Sequence, residues 1–276
     1  MIFDFHSHTR QQDGENSARE MVEAAIAKGL KIYGISEHSP RLPTFRYHDD
    51  PPNEVRGARG WDEFLAEIEK LQKEFARKIE VLKGCEIDWL GEENIPWTKD
   101  LIQKGNFDYT IGSVHFLGKW GFDYEKDWKM GFSNFKNVGE IYQKYFLEYS
   151  KMVSSNLFDI AGHLDLIKKF NDEYPLPKNS KILELAKPAL DALADSKMIL
   201  EISSAGLRKP CRDWYPSEEL LAAAFERKIP ITLNSDAHST DRIAENFEAA
   251  KELAKKVGYE KAVVFHAKRE REFVEI

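Results

Sequence analysis

Seven short apolar or β-branched runs, at 1–6, 31–36, 79–87, 109–114, 158–162, 198–203 and 229–234, constrain this chain more than any other feature. Runs of that length and composition read as strands buried on both faces. Between them, the spacing of apolar residues predicts helices over 18–30, 61–79, 96–104, 133–156, 180–196, 217–228 and 239–258. Ser217, followed by Glu218 and Glu219, marks a helix start, and Pro96 sits where a first-turn proline is tolerated. Regular alternation of strand and helix requires parallel strands joined by crossover helices. About seven such units in 276 residues fit a closed barrel better than two open sheets. No linker or low-complexity tract interrupts the pattern, so a single domain over 1–276 is expected.

Two segments are too long or too aromatic to be plain connectors. The 40–60 stretch is rich in Pro, Gly and charge, and 116–132 carries Trp120, Phe122, Tyr124 and Trp128. Both are expected over the working face of the barrel. A net charge of −7 disfavours generic affinity for nucleic acid or anionic lipid, so an anionic substrate needs a local source of positive charge. Two cysteines, Cys85 and Cys211, are too few for a disulfide framework, and the opening MIFDFHSH lacks the basic start and apolar run of a secretion signal. A reducing cytoplasm is the expected location. No apolar stretch approaches the roughly 20 residues that span a bilayer.

The chemistry is concentrated at the ends of the strands. Six of the eight histidines lie there: His6 and His8 in DFHSHT, His38 in ISEHSP, His115 in GSVHFL, His163 in AGHLDL and His238 in NSDAHS. Glu86 closes LKGCEI, Asp236 closes ITLNSD, and Asp13 follows DFHSHT by a short loop. In a parallel barrel the carboxyl ends of the strands share one face, so these distant residues converge. His6 and His8 are two apart and project to the same side of an extended strand, as do Asp236 and His238. Imidazole mixed with carboxylate suits Zn, Mn or Fe, and nine donors exceed what one ion needs, so two or three divalent ions are expected. His48 lies in the proline-rich loop and His266 in a late VVFHAK run, and both read as ordinary structural residues.

These motifs resemble those of the PHP (polymerase and histidinol phosphatase) family, and most of all its histidinol-phosphatase branch, from DFHSHT to NSDAHS. The resemblance implies a distorted (β/α)7 barrel with a metal site at the C-terminal ends of the strands. It further implies one ion on His6, His8, Glu86 and Asp236, a second on a bridging Glu86 with His115 and His163, and a third on Asp13, His38 and His238. The stretch SSAGLRKPCRDWYPS is similar to a part of that branch in which an Arg holds substrate phosphate, which makes Arg208 the matching candidate. Lys168 and Lys169 follow His163 in a region that is also basic in that branch.

With three ions, three carboxylates and neutral imidazoles the site would carry about +3 charges, enough to attract a phosphate dianion to an acidic protein. His6, His8, Glu86, His115, His163, Asp236 and His238 are therefore the expected catalytic set. The leading expectation is a metal-dependent phosphatase acting on a small phosphate monoester, L-histidinol phosphate first. The alternatives are a nucleotide or nucleic-acid-end phosphoesterase of the same family and, from another class, a noncatalytic metal-stabilised module.

Overall fold

A computed structural model of the chain describes residues 2–50, 57–171 and 179–276. In chain order its elements are β1 (Phe3–Asp4), α1 (Ala18–Ala27), β2 (Ile32–Ile35), α2 (Trp61–Phe75), β3 (Glu80–Asp88), α3 (Ile95–Gly105) and β4 (Tyr109–Ser113). A small hairpin, β5 (Phe116–Leu117) and β6 (Trp120–Gly121), then leads to α4 (Glu125–Phe132), α5 (Val138–Ser154) and β7 (Ile160–Ala161). The chain continues through α6 (Asn179–Asp195), β8 (Ile199–Ser203), α7 (Glu218–Glu226), β9 (Ile231–Asn234) and α8 (Phe247–Val257). It ends in a second hairpin, β10 (Lys261–Phe265) with β11 (Arg271–Glu275).

Strands β1, β2, β3, β4, β7, β8 and β9 form one sheet in that order, and every neighbouring pair is parallel. All seven expected strands are present. The sheet bends until its first and last strands meet: Ser7 bridges Ala237 in parallel, with His8 N donating to Ala237 O at 2.8 Å and Ala237 N to His6 O at 3.1 Å. Deeper along this seam, side chains replace the ladder, as Phe5 N donates to Asn234 Oδ1 and Ser235 N to Asp4 Oδ1. The barrel is nearly closed, and it is distorted where β1 and β7 contribute only two residues each. It is drawn shut at the end where the histidines lie.

Its interior is filled by aromatic rings. Tyr109 occupies space that a Cβ on Gly34 or Gly84 would invade, and its hydroxyl donates to Phe5 O at 2.5 Å. Phe265 reaches in from the terminal hairpin to within 5.5 Å of Phe5 and 5.8 Å of Tyr109, ring centre to ring centre. That hairpin, absent from the sequence expectations, plugs the amino-terminal end of the barrel.

Two helices start later than their periodicity suggests. Asn137 accepts from Glu140 N and caps α5 at Val138 rather than at 133. Ala244 and Asn246 adopt left-handed backbone, φ 53° and 61°, so α8 cannot extend back to 239. The 116–132 segment is a hairpin and a short helix. Of the 40–60 segment, residues 51–56 lie outside the described residues. Among the described residues no helix is long and apolar enough to cross a membrane.

Candidate metal centre

All nine expected donors converge at the carboxyl end of the barrel. Glu86, near the end of β3, is central, because its two oxygens face different partners. Oε2 lies 3.0 Å from His38 Nδ1, 3.3 Å from His6 Nε2 and 3.5 Å from His8 Nε2. Oε1 lies 2.9 Å from His163 Nε2 and 3.6 Å from His115 Nε2. Asp236 Oδ1 completes one group at 3.2 Å from His8 Nε2 and 3.7 Å from His6 Nε2. Asp13 stands 3.6 Å from both His38 Nε2 and His238 Nε2, and with His8 these form a further group of converging donors. His8 thus belongs to two groups, and His38 approaches Glu86 as well as Asp13.

The donor set fits divalent metal ions. Ligands held about 2.0 to 2.1 Å from a tetrahedral zinc stand about 3.3 to 3.4 Å from one another, the scale of the separations among His6, His8, Glu86 and Asp236. The Nε2 atoms of His6 and His8 are buried and face carboxylate oxygens without hydrogen-bond geometry. Their other ring nitrogens are occupied: His6 Nδ1 meets Glu201 Oε1 at 2.7 Å and His8 Nδ1 meets Glu37 Oε1 at 3.3 Å. His115 Nδ1 likewise meets Asp88 Oδ1 at 2.5 Å. A carboxylate behind an imidazole fixes the Nδ1–H tautomer and leaves Nε2 as the electron-pair donor. Sequence reasoning missed Glu37, Asp88 and Glu201. Their signal was a charged residue inside or bordering an otherwise apolar strand run.

Electrostatics favour cations here. Burial opposes charge on every one of these groups, yet Glu201 and Glu86 raise the His6 imidazole well above its ordinary value, and Glu86 and Asp13 do the same for His38. Against burial and the neighbouring His38, His8 is raised to about 9, chiefly by Asp236 and Glu37. Conversely, Glu86, Asp236 and Asp13 resist burial and are held well below the usual carboxylate range by the surrounding imidazoles. Ionised carboxylates gathered around the buried Glu86, with Asp13 at the exposed rim, demand positive charge, which protons or metal ions can supply.

A cavity of about 310 Å³ opens over the cluster. Wider grooves of about 710 and 820 Å³ elsewhere carry none of the converging donors. The three expected phosphate cations differ in how they stand to this cavity. Arg208 does not line the cavity: its Nη1 donates to Glu245 at 2.8 Å and its Nη2 to the carbonyls of Ser235 and Asp236 at 2.9 and 3.0 Å. It braces the loop that carries Asp236, whose backbone is left-handed at φ 50°. Lys168 is buried and committed to Asp165, Asp213 and the carbonyl of Trp214. Lys169 does line the cavity, 3.4 Å from Asp123, and the cations that join it there are Lys209 and Arg41.

The sequence profile of the PHP domain family matches residues 4–205. The chain belongs to the PHP domain family. Asp236 and His238 lie beyond the matched span, but similarity to whole proteins of the family includes that region. A probable histidinol-phosphatase of Deinococcus radiodurans is 36% identical over 91% of this chain and 92% of its own length. The histidinol-phosphatase of Bacillus subtilis is 28% identical, over 89% of this chain and 97% of that protein. The crystal structure of histidinol phosphate phosphatase from Lactococcus lactis, complexed with zinc, L-histidinol and phosphate, superimposes with a TM-score of 0.76. The match covers 98% of both chains at 25% identity.

Proposed function

We propose that this PHP-family chain is a metal-dependent histidinol-phosphatase, a phosphoric monoester hydrolase that converts L-histidinol phosphate to L-histidinol and phosphate. The observation that carries the reading is the end-to-end match to a structure holding zinc, L-histidinol and phosphate, together with converging zinc-type donors beneath a cavity of small-molecule size. The whole of 1–276 serves as one catalytic domain.

His6, His8 and Asp236 would hold one ion with Glu86. His115 and His163 would hold a second with Glu86, and Asp13, His38 and His238, with His8, a third. Bound divalent ions supply Lewis acidity and a water of lowered pKa. Around them the chain's own groups orient the ester. Lys169 and Lys209 present positive charge toward the phosphate, while Asp123, to which Tyr47 Oη donates at 2.6 Å, offers a carboxylate to the substrate ammonium. Glu37, Asp88 and Glu201 keep the Nδ1 protons of His8, His115 and His6 in place, so that each Nε2 stays a ligand.

Steady-state kinetics under saturating Zn, Mn or Fe test the substrate. kcat/KM for histidinol phosphate should exceed that for an aryl phosphate and for a mononucleotide. Equal values would reject the assignment and leave a phosphatase of broad range.

A further inference from the structure

Arg41 lies three residues beyond His38 on the segment that follows β2, and only 2% of it is exposed. Its guanidinium carbon stands 4.6 Å from the ring centre of Tyr47 and 5.2 Å from that of Phe116, beside a pair of rings that stack on each other at 5.1 Å. Its Nε donates to Asp88 Oδ2 at 2.5 Å. The other oxygen of Asp88 meets His115 Nδ1, and His115 Nε2 in turn faces Glu86 Oε1 at 3.6 Å. Asp88 is two residues past Glu86 on β3, so the alternation of the strand puts both carboxylates on one face, one beside the donors and one behind them.

A buried carboxylate with an imidazole as its only partner carries uncompensated charge and is free to turn. Arg41 supplies the opposite charge and a fixed direction, because a buried guanidinium packed beside two rings and bonded through Nε has little freedom to reorient. From this geometry we infer that Arg41 is a positioning residue for metal binding: by anchoring Asp88 it fixes the His115 ring with Nδ1 as donor and Nε2 turned to the ion shared with Glu86. The inference rests on reading the cluster as a metal centre, and it predicts an effect present before any substrate binds.

The test is titration of the full-length, metal-stripped protein with zinc alone, in competition with a chromophoric chelator. In Arg41→Met, which keeps an unbranched apolar stem beside the rings, one ion should bind about 10- to 100-fold more weakly, the usual cost of losing a group behind a metal ligand, while the others are unchanged. Asp88→Asn should weaken the same ion. The double variant should lose no more than the worse single one, since both act through one contact. Unchanged zinc affinity in Arg41→Met, with or without a raised KM, would make Arg41 at most a substrate contact and overturn the inference, as would losses that simply add. If Arg41→Met does not fold, Arg41→Lys carries the test. It keeps the charge but moves the donor away from the Nε position, so the same ion must weaken, and unchanged affinity again overturns the inference. A parent protein that binds no zinc would instead sink the metal-centre reading itself.

Discussion

Glu86 turns one oxygen toward His6, His8 and His38 and the other toward His115 and His163, so a neutral amide there weakens two groups of donors together. Glu86→Gln should therefore lose more than one ion per chain, as read by elemental analysis, and metal content equal to the parent would argue against bridging. Lys209, at the cavity wall, and Arg208, outside it, should separate cleanly. Lys209→Ala should lower kcat/KM by roughly 1.5 to 3 kcal/mol, the scale of a lost hydrogen bond to a charged group, with metal content intact. Arg208→Ala should instead lower thermal stability and zinc content, because its donors hold the carbonyls beside Asp236. A pure KM effect in Arg208→Ala would return that residue to the phosphate.

At the scale of elements, the terminal hairpin β10–β11 is tied to the barrel by His266, which meets Glu80 on β3 at 2.8 Å and Glu272 on β11 at 3.2 Å. Partial burial lowers the charge on this imidazole, but the two carboxylates outweigh it and raise the pKa above its ordinary value. A group whose folded pKa is raised binds its proton more tightly in the native state. Its contribution is thus full below the unfolded value of about 6.5 and fades as pH rises through the folded one. The Tm difference between the parent and His266→Gln should be widest in mildly acidic buffer and close above that range. A gap independent of pH would mean that packing, not charge, ties the hairpin down. Turnover in His266→Ala should stay within a few-fold of the parent, whereas alanine at His115, His163 or His238 should lower it by orders of magnitude. Equal losses at all four positions would mean that position at the end of a parallel barrel strand does not mark the site.

Over the whole molecule, the donor cluster lies across the seam where β1 and β9 close the barrel, since His6 and His8 follow one strand and Asp236 and His238 the other. Ions binding only the folded state should stabilise it by about 2.7 kcal/mol per site at a free concentration one hundred times Kd. Stripping the protein with a chelator should lower its Tm, and zinc should restore it. Because imidazoles such as His8, raised to about 9, hold protons at neutral pH in the metal-free chain, zinc must displace them. Zinc affinity should accordingly climb as pH rises from 6 toward 9, with protons released on binding. A flat profile would count against imidazole ligation.

The barrel and its nine donors were legible in the sequence for two local reasons. Buried parallel strands must be apolar throughout, so a histidine or carboxylate at the end of such a run stands out, and parallel strands share a direction, so those ends share a face. What lies behind and around the donors was not legible. Glu201 and His6 are far apart in sequence and meet only because β8 lies near the closed seam. The terminal hairpin gave no periodic signal strong enough to separate it from a tail. In AGLRK, the short turn at Ala205–Arg208 sends Arg208 beneath the Asp236 loop and leaves Lys209 for the cavity. Residue type and spacing thus determined which chemistry could be assembled, whereas the phase of a single turn in three dimensions decided which of two adjacent cations faces it.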